Sequence, residues 1–334
     1  MGTGTVSAME DTQTREKRAT GAVVLSMCCA GTNIVAGRVL AGSVDVFAVG
    51  VLSLSVALAV ILPFQLQRLG ELQRLSIRDL GDMGVQALSG IVVYRVLMLI
   101  GLGMTTAVDA AVILCATPAA TAVAARLILG EQLRGRRLLA VLLSVAAMLA
   151  VNVFGSTEEA ASPIPNRVVG NLLVLGAVVS ESLMTVFRKR SGYRVSHVTN
   201  TTVLIVLSLL FFVVASRGGR GVTIRELAGR DVAALLSVGV LGTAVGYMLW
   251  GWGAVRVPAA TTGAAMAAIP ITATLLGAVL LNEPVYLRHG IAIALAISGI
   301  VVASRTPSSR VGTAPPADGR GIEAVCTSVD TDGQ

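Results

Sequence analysis

The chain has 334 residues, of which 54% are hydrophobic and only 13% charged. A soluble domain carries about 25% charged residues, so this chain cannot cover itself with a water-facing surface and lipid must cover much of it. The formal net charge of +7 sits in short loops between apolar runs, as membrane topology requires, which argues against a nucleic-acid partner.

Residues 1–20 are polar and bring Arg15, Lys17 and Arg18 up to the first apolar run. Many further runs follow and no cleavage site interrupts the first, so a cytoplasmic tail is expected and not a signal peptide. Crossing the ~30 Å hydrocarbon core takes roughly 20 apolar residues. Ten runs qualify, at 21–41, 46–64, 84–102, 107–128, 137–154, 168–188, 198–215, 232–252, 259–281 and 287–304. Lipid offers the backbone no hydrogen-bond partner, so each must be a helix. Residues 305–334 are rich in Gly, Pro, Ser and Asp and are expected to be a disordered cytoplasmic tail.

Basic residues cluster on the N-terminal side of the membrane: Arg68, Arg74 and Arg78, then Arg134, Arg136 and Arg137, then Arg188, Lys189, Arg190 and Arg194. The positive-inside rule therefore puts both termini in the cytoplasm. The loop with Arg217, Arg220, Arg225 and Arg230 runs against the trend: either it lies flat on headgroups or one span is miscounted.

The fourth run, TTAVDAAVILCATPAATAVAARLILGEQL (105–133), recurs as VPAATTGAAMAAIPITATLLGAVLLNEPV (257–285). With an offset of about 152 residues, Pro118 falls on Pro270 and Glu131 on Glu283. Five spans per half is an odd number, so the second half must enter the membrane upside down. The expected fold is an all-α integral membrane protein with ten transmembrane helices as two inverted five-helix repeats, a recurrent plan of secondary transporters. The repeats are 21–154 and 168–304, joined by a linker at 155–167.

The segments AGTNIVAGR (30–38), VVYRVLMLIGLGMTTAVDAAVILCATPAATA (92–122), LGE (129–131) and LLNEP (280–284), in this order and with ten spans, resemble EamA-type members of the drug/metabolite transporter superfamily. The resemblance covers about 21–304. It implies outward movement of small metabolites, often amino acids or drugs, through a cavity between the halves, lined by the third, fourth, eighth and ninth helices with the first and sixth.

Charged groups inside a membrane are functional candidates by default. Arg95 lies about 16 Å into the third span, and Glu181 lies at similar depth in the sixth. An Arg95–Glu181 pair across the halves is one expectation, and a protonatable Glu181 suits coupling to protons. Asp109 is expected to cap the fourth helix, although a translocation role stays open. Arg38 is expected to snorkel to headgroups or to serve a gate. Glu131 and Glu283, with Arg136 and Arg288, are expected to fix turns by salt bridges. Pro118 and Pro270 are candidate hinges that free carbonyls near Leu114, Cys115, Met266 and Ala267. Asn33, Tyr94, Ser180, Ser182, Tyr247, Trp250 and Trp252 are candidate binding groups, with an interfacial belt as the alternative for the tryptophans.

Cys28, Cys29, Cys115 and Cys326 make no CxxC pair, and only His197 and His289 are present. No disulfide framework, metal site or cofactor is expected. There is no GxSxG, HExxH or Walker loop, so no enzyme activity is expected. The expected function is a secondary transporter, an exporter of a small-molecule substrate by alternating access, with proton coupling and a homodimer as open options. The composition suggests a bacterial plasma membrane. A lipid-modifying enzyme or a non-transporting scaffold or receptor are the competing classes. The first lacks a nucleophile, and the second needs neither an inverted repeat nor charges at mid-depth.

Overall fold

A computed structural model describes residues 3–130, 135–153, 166–191, 195–216, 227–254, 256–257, 261–262 and 265–304. The described secondary structure is helical throughout: α1 (Thr3–Leu40), α2 (Val46–Leu66), α3 (Ile77–Met104), α4 (Ala107–Leu114 and Thr117–Leu129, bent by 43°), α5 (Arg136–Val153), α6 (Arg167–Arg190), α7 (His197–Ser216), α8 (Gly229–Gly253), α9 (Ala268–Leu281) and α10 (Leu287–Ser304). Six of these are long and apolar enough to cross a membrane, or seven if bent α4 is one span; Ala268–Leu281 and His289–Gly299 are shorter apolar stretches. That is fewer than the ten spans expected. α1 also departs from expectation, because it starts at Thr3 and carries the polar tail into the helix. The expected C-terminal tail, Cys326, Glu131 and most of the linker lie outside the described residues.

Local chemistry sets the helix ends. Asp45 caps α2, its carboxylate accepting from the N–H groups of Phe47 and Ala48 at 3.0 and 3.1 Å. Ser76 and Asp79 form a reciprocal capping box at α3. α4 stops at Gly130 and α9 at Asn282, both in the left-handed region at φ 71° and 52°. These two stops are one repeat length apart.

The helices approach closely through small residues, as packing within lipid favours. A Cβ on Gly101 of α3 would sit 2.9 Å from the Gly170 carbonyl of α6, and one on Gly31 of α1 2.8 Å from the Ile269 carbonyl beside α9. α3 and α8 each contain a π-helical segment, Leu88–Val93 and Ser237–Val245. Apolar side chains point outward in turn: Leu127, Val214 and Val279 are 79%, 66% and 73% exposed, as a lipid-facing surface requires.

Two ends of the bundle are fixed by polar ties. At one, Arg38 in the last turn of α1 donates to the Leu102 carbonyl of α3 at 2.8 Å and lies 3.6 Å from Glu283 beyond α9. At the other, Glu71 between α2 and α3 accepts from Ser196 N–H and Thr199 Oγ at the start of α7, at 2.9 and 2.7 Å. The end of α9 therefore meets the start of α4, and the end of α2 meets the start of α7.

Candidate functional site

A cavity of about 210 Å³ lies where α1, α3, α4, α6 and α8 meet the segment leading into α9. At ~30 Å³ per molecule, that is room for about seven waters. Asn33, Tyr94, Glu181, Tyr247 and Trp250, five of the expected binding residues, all line it, as does Pro118. Met27, Met184 and Met266 supply much of its apolar wall. Toward the Arg38 end side chains are packed: every residue from Ala107 to Leu114 is buried, against Ile34 and Leu102 among others, while a separate cavity of about 710 Å³ is lined there by Arg38, Arg230 and Glu283. Toward the other end a second cavity of about 230 Å³ shares Met184, Thr185, Tyr247 and Trp250 with the first and adds Arg188, His197 and Asn200.

α4 is broken where it passes the cavity. Pro118 has no N–H to give the Leu114 carbonyl, and the turn at Cys115–Ala116 separates the two pieces. The Thr117 hydroxyl donates to that carbonyl instead, at 2.7 Å. On the α9 side the Met266 carbonyl accepts from Ile269 N–H at 3.1 Å. Two of the carbonyls expected to be freed by the prolines, Leu114 and Met266, thus have donors already.

The expected Arg95–Glu181 pair is not formed. The Arg95 guanidinium donates to the hydroxyls of Ser53 in α2 and Thr243 in α8, the latter at 3.1 Å. It lines a recess of about 40 Å³ in which Asn33 and Tyr94 are shared with the main cavity. Consecutive helix residues differ by about 100° in direction, so Tyr94 faces the cavity while Arg95 turns away. Among the described residues nothing hydrogen-bonds or ion-pairs with the Glu181 carboxylate. Its neighbours look elsewhere: Ser180 donates to the Ser89 carbonyl of α3 at 2.5 Å, and Ser182 bonds with Thr121 of α4 at 3.2 Å.

Three further expectations are corrected. Asp109 does not cap α4; Thr106 does, accepting from Asp109 N–H at 3.0 Å. The Asp109 carboxylate is fully buried and takes Arg167 at 2.5 Å and His289 at 3.3 Å. Arg38 turns inward to Leu102 and Glu283 rather than to headgroups. Glu283 does not stay in its own turn, because its carboxylate accepts the Ala107 and Val108 N–H groups, the closest at 2.9 Å. Those are orphan donors at the positive end of α4, which explains the reach. Trp252, unlike Trp250, is 44% exposed and carries the Arg256 guanidinium 4.8 Å from its ring centre. No group of three or more metal-ligating side chains occurs among the described residues.

Ser53, Thr243, Arg167 and His289 were not singled out from sequence. Arg167 reads there as one more loop arginine, and a lone Ser or Thr in an apolar run carries no pattern.

The sequence matches the EamA-like transporter family over residues 18–153 and again over 168–305. The chain belongs to the EamA-like transporter family. Within it, an uncharacterized transporter of Bacillus subtilis, YetK, is 26% identical over 278 residues, covering 83% of this chain and 84% of that protein. An uncharacterized transporter of Clostridium kluyveri is 25% identical and covers 84% of this chain and 91% of its own length. A solved crystal structure overlays with a TM-score of 0.62 at 19% identity, covering 85% of this chain and 96% of its own, a likeness of fold alone. As an EamA-like protein the chain is a multi-pass membrane transporter of the drug/metabolite superfamily.

Proposed function

We propose that this EamA-like protein is a secondary exporter of a small molecule, built as ten spans in two inverted halves with both termini in the cytoplasm. It works by alternating access and is driven by protons, and it performs no catalysis. The carrying observation is the cavity itself: six segments drawn from both halves enclose one space, and among the described residues one carboxylate, Glu181, faces it with no hydrogen-bond or ion-pair partner. The meeting of the α9 end with the α4 start, and of the α2 end with the α7 start, supports opposite directions for the two halves. Arms that run oppositely about one site can expose it to each face in turn. The packed side chains above the cavity and the second cavity below it fit a form closed on the Arg38 side, the extracellular side by the positive-inside count.

Glu181 exchanges a proton for substrate, since one carboxylate cannot hold both. Flux in proteoliposomes tests this. Counterflow of a labelled substrate is expected with the wild type, with faster uptake into everted vesicles when the interior is acid, and its loss in Glu181→Gln. Equal flux with and without a pH gradient removes proton coupling. The absence of counterflow across a broad panel of metabolites removes transport.

A further inference from the structure

From the distribution of charge and hydrogen-bond donors around the central cavity we infer its substrate class: a small lipophilic organic cation, its ammonium or other cationic head seated against Glu181 and the faces of Tyr94, Tyr247 and Trp250. The inference rests on the transport function proposed for the same cavity.

The first support is the charge of the wall. Among the described side chains that line the cavity, Glu181 is the one Asp, Glu, Lys, Arg or His. The one cation at the same depth, Arg95, is committed to Ser53 and Thr243 in a separate recess. Arg188 and His197 line only the adjoining cavity, so an anionic substrate in the central one would face the Glu181 carboxylate, whereas a cation would pair with it. Burying a charge in such a place is tolerable only with a partner.

The second support is the state of the hydroxyls. Ser26 donates to the Gly246 carbonyl at 2.8 Å, Thr117 to Leu114 at 2.7 Å and Thr185 to the Glu181 carbonyl at 3.3 Å. These aliphatic hydroxyls are spent on helix backbone, so the donors a ligand meets are those of Asn33 and of the aromatic residues Tyr94, Tyr247 and Trp250. The third support is the remaining surface. Aromatic faces attract cations, most strongly where water is excluded. The methionines that complete the wall are unbranched and polarizable and mould to varied apolar shapes. The volume of about 210 Å³ lies below the ~300–1,000 Å³ of drug-sized pockets, which limits the ligand to a small amine.

Binding to the purified full chain in detergent tests the class independently of flux. The probes are benzyltrimethylammonium, its neutral carbon isostere neopentylbenzene, and phenylacetate, with tetraethylammonium and phenethylamine as further cations, followed by Trp fluorescence and thermal shift. The cations are expected to bind at least tenfold more tightly than the neutral or anionic probe. Glu181→Gln is expected to abolish that preference, and Trp250→Leu to weaken benzyltrimethylammonium severalfold while sparing the fold, as judged by monodispersity and Tm. Equal or tighter binding of phenylacetate, or no binding of any cation, overturns the inference. So does an unchanged preference in well-folded Glu181→Gln. Counterflow of an anion or neutral metabolite would sink the cation class and leave the transport function standing, so the two failures are distinguishable.

Discussion

Arg95 of α3 donates a hydrogen bond to Thr243 of α8 at 3.1 Å, joining residues 148 positions apart in the two matched halves. The same guanidinium holds Ser53 of α2, so three helices converge on one cation. A hydrogen bond to a charged group contributes about 1.5–3 kcal/mol, and losing one partner of a buried set strands the others. Arg95→Leu is expected to lower Tm in detergent by several degrees, and Thr243→Val by less. Because the cation faces away from the cavity, Arg95→Leu that is rescued to full folding by lipid or low temperature should still bind ligand. Loss of binding in a well-folded variant would place Arg95 in the site.

Asp109 is fully buried between Arg167 and His289. Removing one partner of a buried pair typically costs about 3–5 kcal/mol, because the remaining charge stays in a poor medium. Asp109→Asn should therefore be among the most damaging single changes outside the cavity, read as a fall in Tm and in the yield of monodisperse protein. Wild-type stability in Asp109→Asn would show that the cluster contributes little.

Glu71 gives a pH dependence at the opposite end. Hydrogen bonds from Ser196 and Thr199, with Arg68 alongside, hold its carboxyl down at about 2. A depressed carboxyl stabilises the fold fully above the unfolded-chain value of about 4.3, and the contribution is lost as pH falls from there through about 2. The difference in Tm between wild type and Glu71→Gln should accordingly be constant from pH 7 to pH 5 and shrink below that. A difference that widens on acidification would contradict the sign.

Gly170 tests the close contact of α6 with α3. A Cβ there would lie 2.7 Å from the Met104 carbonyl carbon, which is backbone and cannot swing aside. Overpacking costs about 1–3 kcal/mol, so Gly170→Leu is expected to lower Tm markedly and Gly170→Ala detectably. Gly21→Ala is the contrast: nothing lies within 4 Å, and the change should be neutral or stabilising.

Much of the architecture is legible in the residues because lipid leaves few choices. Apolar runs must be helical, and Gly130, Asn282 and Pro118 mark their stops and break in the chain itself. Level along the bundle is legible too: counting puts Arg95 and Glu181 at similar heights, and they line neighbouring cavities that share Asn33 and Tyr94. Direction around the helix was not. The π-helical segment at Leu88–Val93 precedes Tyr94 and Arg95, and each extra residue in a turn rotates everything after it by about 100°. No composition signal announces that rotation, so Arg95 was aimed at the wrong neighbour. Long-range partners were equally silent. Glu283 finds the start of α4 across 176 positions, drawn by backbone donors that every helix start possesses.

Because Thr117 bonds the Leu114 carbonyl and Ile269 the Met266 carbonyl, the main chain at the two prolines offers shape and little chemistry. In the transporter proposed above, selectivity is thereby delegated to replaceable parts. A lineage could exchange Tyr94, Trp250 or the three methionines and acquire a new cargo without disturbing the bend of α4 or the ties that hold both ends of the bundle.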